Sequence, residues 1–547
     1  MMGYTILCSE SINSRGIDLL RSRPGFKADV RSDLSQDVLS KIIADYDGLL
    51  IREEVTVDEQ VLRHASRLRV IGIAGPATES VDVAEATRHG VVVLTSPGLS
   101  AVSLAEHTIA LVMAVHRHIP QAVLSTKQGK WEKKKFQGRE IAGRTMGLIG
   151  LGKVGSLVSE RASRGLKMNV LGYDPMVTRD AASRMGTRLV SLDELLASSD
   201  VISVQAPLNE STRGLLDDRA FAAMKESVIV VSCGREGIVD SQALLRALED
   251  EKVAGVGLDL FSEPSPADRA LIEHPRVVVT PHLGPSTDEA EVNVALAAVE
   301  QLIDYLENGV AKSALNVPAV DAKELPRVGP YMDLAWRLAR FAACLVEQHV
   351  TELEVEYRGQ MALWDVKPIT NAALVGLLNR TEGPEVNAVN ASYIAQQRGI
   401  CVSETANKQA RDRISTLVIR LGLADGSSRS VQGAFITRET EEPRITGIDN
   451  YVTEAEPAGA MLVITNRDIP GMVAGITRAL ADRGINIAQM NLSRDAVGGE
   501  ALSIINLDTP ADRETLERIG GIDGILNVRQ VILGDRQDRR AVPAYQP

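Results

Sequence analysis

Two doubly wound parallel α/β domains, one inserted in the other, followed by a mixed α/β region and a ferredoxin-like unit: this is the fold class that the 547-residue sequence predicts. Three observations predict it. In the first half, β-branched runs alternate with longer amphipathic segments, which implies parallel sheets with helices on their faces. The later runs of that half are apolar almost without a break, as strands buried on both faces are. The C-terminal stretch reads strand, helix, strand, strand, helix, strand, the order of a split βαβ unit. The chain is also too long for one hydrophobic core.

Strands are expected at TILCSE, GLLIRE, LRVIGIAG and VVVLTS, with helices between them. A long apolar helix follows from about Ser100 to Arg117, LAEHTIALVMAVHRH, whose Leu, Ile, Val and Met fall at core spacing. A second series of strands begins at Thr145: MGLIGLG, NVLGYD, VISVQA, SVIVVSC, VAGVGLDL and RVVVTPH. The helix DEAEVNVALAAVEQLIDYLENG then ends at Gly309, as a C-terminal glycine would end it. This order suggests an outer domain of residues 1–99 and 288–318 interrupted by an inserted domain of residues 100–287. A proline-bearing linker leads into a mixed α/β region, 319–456, with the Asn-rich stretch EVNAVNAS. The ferredoxin-like unit occupies 457–535, and 536–547 reads as a loose polar tail.

Composition narrows the function classes. A net charge of −12 argues against general affinity for nucleic acid or anionic membranes. Aromatic residues make up 3%, too few for base-stacking platforms. Cysteines 8, 233, 344 and 401 have neither metal-ligand spacing nor the look of a disulfide framework, so no metal is expected and a reducing compartment fits. Cys233 reads as a small buried hydrophobe. No secretory leader and no apolar run of membrane-spanning length is evident, and a cytoplasmic protein is expected.

The stretch 147-GLIGLGKVG-155 follows an apolar strand and opens a helical segment. Gly150, Gly152 and Gly155 form G-x-G-x-x-G, and the next strand ends in Asp174. In that context the loop reads as a dinucleotide site. Gly150 permits the tight turn, Gly152 lets backbone approach the pyrophosphate, and Gly155 lets the helix pack on the strand. The helix N-terminus supplies N–H groups to the anion. Asp174 accepts from ribose hydroxyls and repels a 2′-phosphate, so the cofactor is read as NAD. Lys153, Val154 and Asp259 are counted with this cofactor-binding set. The bland alternative is a glycine-rich turn without a ligand.

Hydride transfer then needs a base for the hydroxyl proton and a cation for the substrate's carboxylate. Arg235 follows SVIVVSCG, Glu263 follows VAGVGLDLFS, and His282 follows RVVVTP. Ligands bind outside the carboxyl ends of open parallel sheets, so these three can converge. Arginine's planar fork suits a carboxylate, and histidine beside glutamate suits acid–base work. Taken singly, each also reads as an ordinary salt-bridge residue at a strand end.

In SCGREGIVD, LDLFSEP, TPHLGPST and GLIGLGKVG the sequence resembles the D-isomer-specific 2-hydroxyacid dehydrogenases. The resemblance implies that His282 is the catalytic proton acceptor, held by Glu263, and that Arg235 binds the carboxylate. NRDIPGMVAGI, GINIAQMNLSR and GGEALSIINLD look like an ACT domain, and VEYRGQ, NAVNAS, QRGICV and PRITGIDNY are similar to the intervening domain of the long-form phosphoglycerate dehydrogenases. That combination implies a substrate-binding domain (1–99, 288–318), an NAD-binding domain (100–287), an intervening domain (319–456) and an ACT domain (457–535). It implies oxidation of 3-phosphoglycerate or a related 2-hydroxy acid by a homodimer or homotetramer. It also implies an L-serine effector at Asn466, Asp468 and Asn486, for which loop capping is an equal alternative.

The departures from the family pattern concentrate on the substrate side. In 73-IAGPATES-80, Ile73 stands for arginine, Pro76 removes an N–H donor, Ala77 stands for glycine, and Glu79-Ser80 stands for Asp-Asn. Ser100 stands for asparagine, Gln205 for histidine, and Glu53 adjoins Arg52. Ser232 and Glu236 flank the Arg235 segment. Arg52, Lys133, Ala77 and Ser100 form the expected substrate-binding set, with Lys134 and Lys135 beside Lys133. Three readings stay open: a phosphoglycerate dehydrogenase with a divergent cradle, a dehydrogenase of another 2-hydroxy acid, and a non-catalytic sensor of NAD or amino acids.

Overall fold

The structure is a computed structural model that describes residues 3–75, 78–234, 236–260, 269–318, 324–382, 386–407, 415–437 and 441–534. It divides into two compact units, Met1–Thr95 with Ala297–Pro547, and Ser96–Leu296.

The first unit opens with strands β1 (Tyr4–Ser9), β2 (Phe26–Arg31), β3 (Gly48–Ile51), β4 (Val70–Ile73) and β5 (Val92–Thr95). They form one parallel sheet in the order β2-β1-β3-β4-β5. Every residue of β3, β4 and β5 is buried, as in a sheet covered on both faces. β2 is the strand that the hydrophobic pattern does not predict. It is the sheet's edge, its FKADVR residues are only partly buried, and such a strand carries no apolar signature. The C-terminal part of the helix Asp288–Asn308 lies on this sheet. Leu302 is fully buried there, and a Cβ at Gly48 or Gly72 would come within 3.5 or 3.6 Å of its Cδ1. The Tyr4 hydroxyl donates to the Leu306 carbonyl at 2.8 Å. Beyond the helix, Leu315 N donates to Val93 O, and Asn316 Oδ1 accepts from Val93 N.

The second unit holds β6 (Thr145–Ile149), β7 (Asn169–Tyr173), β8 (Arg188–Leu189), β9 (Val201–Val204), β10 (Val228–Ser232), β11 (Val253–Leu260) and β12 (Val277–Pro281). The parallel order is β12-β11-β10-β9-β6-β7-β8, so the direction of winding reverses between β6 and β9. That reversal opens a crevice at the strands' carboxyl ends. The helix Ala101–His116 packs across β10 and β11. It does so because β11 reads VAGVG: a Cβ at Gly255 would meet Val115 Cγ1 at 2.6 Å, and one at Gly257 would meet Leu111 Cβ at 3.1 Å.

The rest of the first unit carries two more sheets. β13 (Val350–Arg358), β14 (Cys401–Asn407), β15 (Thr416–Leu423), β16 (Ser428–Thr437), β17 (Glu441–Ile448) and β18 (Tyr451–Ala455) pair in the order β14-β13-β15-β16-β17-β18. Helices Leu325–Cys344 and Lys367–Leu378 pack tightly together beside it; a Cβ at Gly376 would lie 2.3 Å from Trp336 O. β19 (Ala460–Arg467), β20 (Ile487–Arg494), β21 (Glu500–Leu507) and β22 (Ile525–Ile532) form an antiparallel sheet in the order β20-β21-β19-β22. With helices Met472–Ala481 and Arg513–Gly520 this is the expected βαββαβ unit.

The two C-terminal units share one core. Met461, Val463, Leu502, Ile504 and Val531 join the hydrophobic cluster of the mixed α/β region, while Leu462, Ile464 and Ile505 face the unit's own helices. The buried Arg337, ion-paired with Asp333 at 2.9 Å, donates to Pro457 O at 3.1 Å and Gly534 O at 2.9 Å. One guanidinium thus ties down the points where the chain enters and leaves the last unit. Replacing Arg337 with methionine leaves Asp333 and two carbonyls without their donor and is expected to cost about 2–4 kcal/mol. A lowered Tm with faster proteolysis near Pro457 checks this.

No helix among the described residues is long and apolar enough to cross a membrane.

Candidate functional site

The glycine loop of the second unit connects β6 to the helix Lys153–Glu160, at the point where the sheet order reverses. Gly150 has φ +94°, and a Cβ on it would meet Ala206 N at 2.7 Å. A Cβ on Gly155 would lie 2.1 Å from Gly150 O, so only glycine brings the helix this close to the loop. Over Gly152, the helix N-cap, nothing lies within 4 Å of such a Cβ. The backbone is therefore open where an anionic ligand would approach, and the helix N–H groups point there.

Asp174 follows β7 and is half-buried. Its Oδ2 accepts from Leu151 N at 2.8 Å and its Oδ1 from Met176 N at 2.9 Å. A carboxylate has about four lone-pair directions, so this side chain can fix the loop and still accept from two hydroxyls. Lys153 lies over Gly98: a Cβ there would meet its Cδ at 2.6 Å and its Nζ at 2.8 Å. The lysine thus covers the 96-SPGLS-100 loop, and Ser100 is the buried N-cap of the helix Ala101–His116. Val154 packs into the core. Open backbone, helix N-terminus and acid together fit a dinucleotide with free ribose hydroxyls.

At the far end of the same sheet, His282 follows β12 with φ +52°, a left-handed conformation uncommon for a residue with a side chain. Asp259 holds it there. This carboxylate is fully buried and accepts from Thr280 Oγ1 at 2.6 Å, Leu283 N at 2.8 Å and Gly284 N at 2.7 Å. It therefore fastens the chain on both sides of His282. Asp259, read from sequence with the cofactor-binding set, anchors the His282 loop through both of its oxygens. His107 extends the network: its Nε2 lies 2.9 Å from Thr280 Oγ1 and 3.7 Å from Asp259 Oδ1. Sequence reasoning passed over His107 and Thr280. The available signal was the polar triplet EHT inside an otherwise apolar helix.

Gln205, beyond β9, donates to Thr108 Oγ1 at 3.1 Å and Ser203 Oγ at 3.0 Å, so it ties the sheet to that helix. Burial pushes the Cys233 thiol up to about 12, which keeps it protonated and unreactive. Glu236 is exposed in the turn beyond β10, and Lys133 is exposed in the 3-10 turn Lys133–Phe136. Arg235 and Glu263 lie outside the described residues.

In the first unit, Arg52 follows β3 and is half-buried, with Glu53 exposed beside it. Glu54 accepts from Ser9 Oγ at 3.2 Å and from Ser11 Oγ. Ile73 is fully buried at the end of β4 and presents nothing polar, and the buried Ser80 Oγ has no partner among the described residues. Ala77 and Pro76 lie outside the described residues.

The last unit does not gather its three candidate residues. Asn466 is buried and donates to Arg467 O at 2.7 Å, and its Oδ1 has no partner among the described residues. Asp468 accepts from Gly498 N and Arg494, both at 3.1 Å, and these contacts hold its carboxyl below the usual range, the backbone N–H contributing most. Asn486 instead donates to Asp508 at 2.7 Å. Asn466 is in register with Ala501, whereas Asn486 adjoins Ile487, which pairs with Leu507. Six strand residues, roughly 20 Å, separate the two ends.

Comparison with known proteins places these features in context. Residues 109–284 match the NAD binding domain of the D-isomer specific 2-hydroxyacid dehydrogenases, 327–449 the intervening domain of D-3-phosphoglycerate dehydrogenase, and 460–524 the ACT domain. The D-3-phosphoglycerate dehydrogenase of Synechocystis sp. is 36% identical over 96% of this chain and 94% of its own length. That of Bacillus subtilis is 33% identical over 97% of this chain and 100% of its own. Among solved structures, D-lactate dehydrogenase from Escherichia coli superposes with a TM-score of 0.51 at 26% identity, covering 57% of this chain and 99% of its own.

Proposed function

We propose, because the chain belongs to the D-3-phosphoglycerate dehydrogenases of the D-isomer specific 2-hydroxyacid dehydrogenase family, that it oxidises 3-phosphoglycerate to 3-phosphohydroxypyruvate with NAD, the first step of L-serine synthesis. The observation that carries this reading is the match to phosphoglycerate dehydrogenases over nearly the full length of both chains, through the intervening and ACT domains.

NAD, when bound, accepts the hydride that leaves C2 of the substrate. The chain's own residues do the rest. Gly150, Gly152 and Gly155 shape the loop for the pyrophosphate, and Asp174 accepts from the ribose hydroxyls. His282 takes the proton of the C2 hydroxyl, in the position that Asp259 and Thr280 impose. Glu263 partners this imidazole, and Arg235 binds the carboxylate. Arg52, Lys133, Ala77 and Ser100 are assigned to the substrate. Asp174→Ala is expected to raise the KM for NAD about tenfold or more and to narrow the preference over NADP, measured as a ratio of kcat/KM values.

A second reading, a dehydrogenase of another D-2-hydroxy acid, draws on the exposed Glu53 beside Arg52 and on the buried, apolar Ile73. Initial rates of NAD reduction with 3-phosphoglycerate, D-lactate and D-2-hydroxyglutarate separate the two. The phosphorylated acid is expected to lead in kcat/KM by at least about tenfold; a lead for either of the others favours the second reading.

Regulation by L-serine is assigned to Asn466, Asp468 and Asn486 of a homodimer or homotetramer. Since one chain holds Asn466 and Asn486 at opposite ends of its sheet, a complete set would draw on two copies. The four cysteines, all free thiols, suit a cytoplasmic setting.

A further inference from the structure

The loop that carries His282 is clasped from two sides, both within the second unit. Asp259 forms one side. The other is a face of the helix Ala101–His116, on which Ser103 and His107 stand one turn apart. Ser103 Oγ lies 2.8 Å from Thr287 Oγ1, and His107 Nε2 lies 2.9 Å from Thr280 Oγ1. Thr280 and Thr287 flank His282 in the chain. Leu104 closes on Gly284 between them: a Cβ there would meet Leu104 Cδ2 at 2.6 Å and Asp259 Oδ2 at 2.8 Å.

These contacts also fix where the protons lie. Asp259 Oδ1 accepts from the Thr280 hydroxyl at 2.6 Å and from Leu283 N at 2.8 Å. A threonine hydroxyl has a single hydrogen. The carboxylate takes it, so toward His107 the Thr280 oxygen can only accept. His107 therefore meets it with a protonated Nε2. The bonds run one way, from His107 Nε2–H to Thr280 Oγ1 and from the Thr280 hydroxyl to Asp259. A hydroxyl that accepts one hydrogen bond is polarised to donate the next more strongly.

The aim of that hydroxyl is not settled by Asp259 alone, because Leu258 O is a rival acceptor at 3.4 Å. Thr280 matters to His282 through its backbone as well, since its carbonyl accepts from His282 N at 3.2 Å. His282 holds φ +52°, and a side-chain-bearing residue keeps that conformation only where its surroundings over-determine it.

We propose that His107 is a positioning residue for the His282 base. It acts through other groups: its Nε2–H aims the Thr280 hydroxyl at Asp259, and Asp259 holds the Leu283 and Gly284 amides that set the place of the imidazole. This inference rests on the dehydrogenase reading, in which His282 takes the substrate's proton. A histidine that merely packed its helix on the sheet would be needed for its shape; this one is needed for a donor at one ring nitrogen.

Two variants separate shape from donor. His107→Leu keeps an apolar side chain on the helix and removes the donor, whereas His107→Gln replaces Nε2–H with an amide N–H. In the full-length chain His107→Leu should lower kcat about tenfold, while KM and the Kd for NADH stay within about twofold. His107→Gln should recover kcat to within about twofold of wild type. In a Thr280→Val background, where the chain of bonds is already cut, His107→Leu should cost nothing further. Unchanged kcat in His107→Leu, equal losses in the two variants, or the full loss repeated on Thr280→Val overturns the proposal. Hydrogen exchange at the Leu283 and Gly284 amides gives a readout without turnover: about tenfold faster in His107→Leu and near wild type in His107→Gln. Wild-type chain inactive on 3-phosphohydroxypyruvate, hydroxypyruvate and 2-oxoglutarate would defeat the dehydrogenase reading, and the exchange rates would still decide whether His107 holds the loop. Protection unchanged in His107→Leu overturns that as well.

Discussion

His282→Ala is expected to lower kcat by about 10²–10⁴-fold, the usual contribution of a positioned general base. NADH affinity, followed by fluorescence titration, should stay within about threefold, since the role proposed for this side chain concerns the substrate's proton rather than the dinucleotide. Alanine at φ +52° adds backbone strain of its own. His282→Asn is therefore the sharper variant, because asparagine tolerates the left-handed region. Both should lose activity alike. Activity within tenfold of wild type in either would place the base elsewhere.

Asp259→Asn should produce the second largest effect. The carboxylate accepts from three donors, and an amide can satisfy those at only one of its two atoms. Either Gly284 N or the pair Leu283 N and Thr280 Oγ1 would face an NH₂ group. A loss of about 2–4 kcal/mol in stability is expected, with a fall in kcat of about 10–100-fold as the His282 loop loosens. The contrast with a cofactor ligand is direct. If Asp259 anchors the loop, kcat falls while the Kd for NADH holds near wild type. If it binds the dinucleotide, NADH affinity falls in proportion.

These variants bear on how much of the site is legible in the sequence. The glycine loop is legible because its chemistry demands glycine at fixed spacing, and the structure gives each glycine a different geometric reason: a left-handed turn at Gly150, open backbone at Gly152, close contact at Gly155. His282 is legible as the end of an apolar strand, but the device that holds it is not. Asp259 precedes it by 23 positions, and only the parallel pairing of β11 with β12, Asp259 against Thr280, brings the carboxylate beneath the loop. His107 is concealed by its helix, whose apolar spacing explains it equally well as core.

The fold divides in the same way. Strands buried on both faces announce themselves, whereas β2 does not, since an edge strand needs no apolar face. The βαββαβ order of the last unit is plain, but its register is not. Register is what puts Asn466 and Asn486 at opposite ends of the sheet. The shared core beneath that sheet is equally hidden. Alternating residues of β19 face two different partners, and sequence alone makes both faces simply apolar.

The measurement that tests the central claim most directly is NADH oxidation with 3-phosphohydroxypyruvate, alongside hydroxypyruvate and 2-oxoglutarate, with NADH binding followed in parallel. Rapid, saturable turnover that favours the phosphorylated substrate is the predicted result, and it would mean that the altered 73–80 loop still makes a working anion cradle. Firm NADH binding without turnover of any of the three would contradict it, leaving a dinucleotide site whose role is to sense rather than to catalyse.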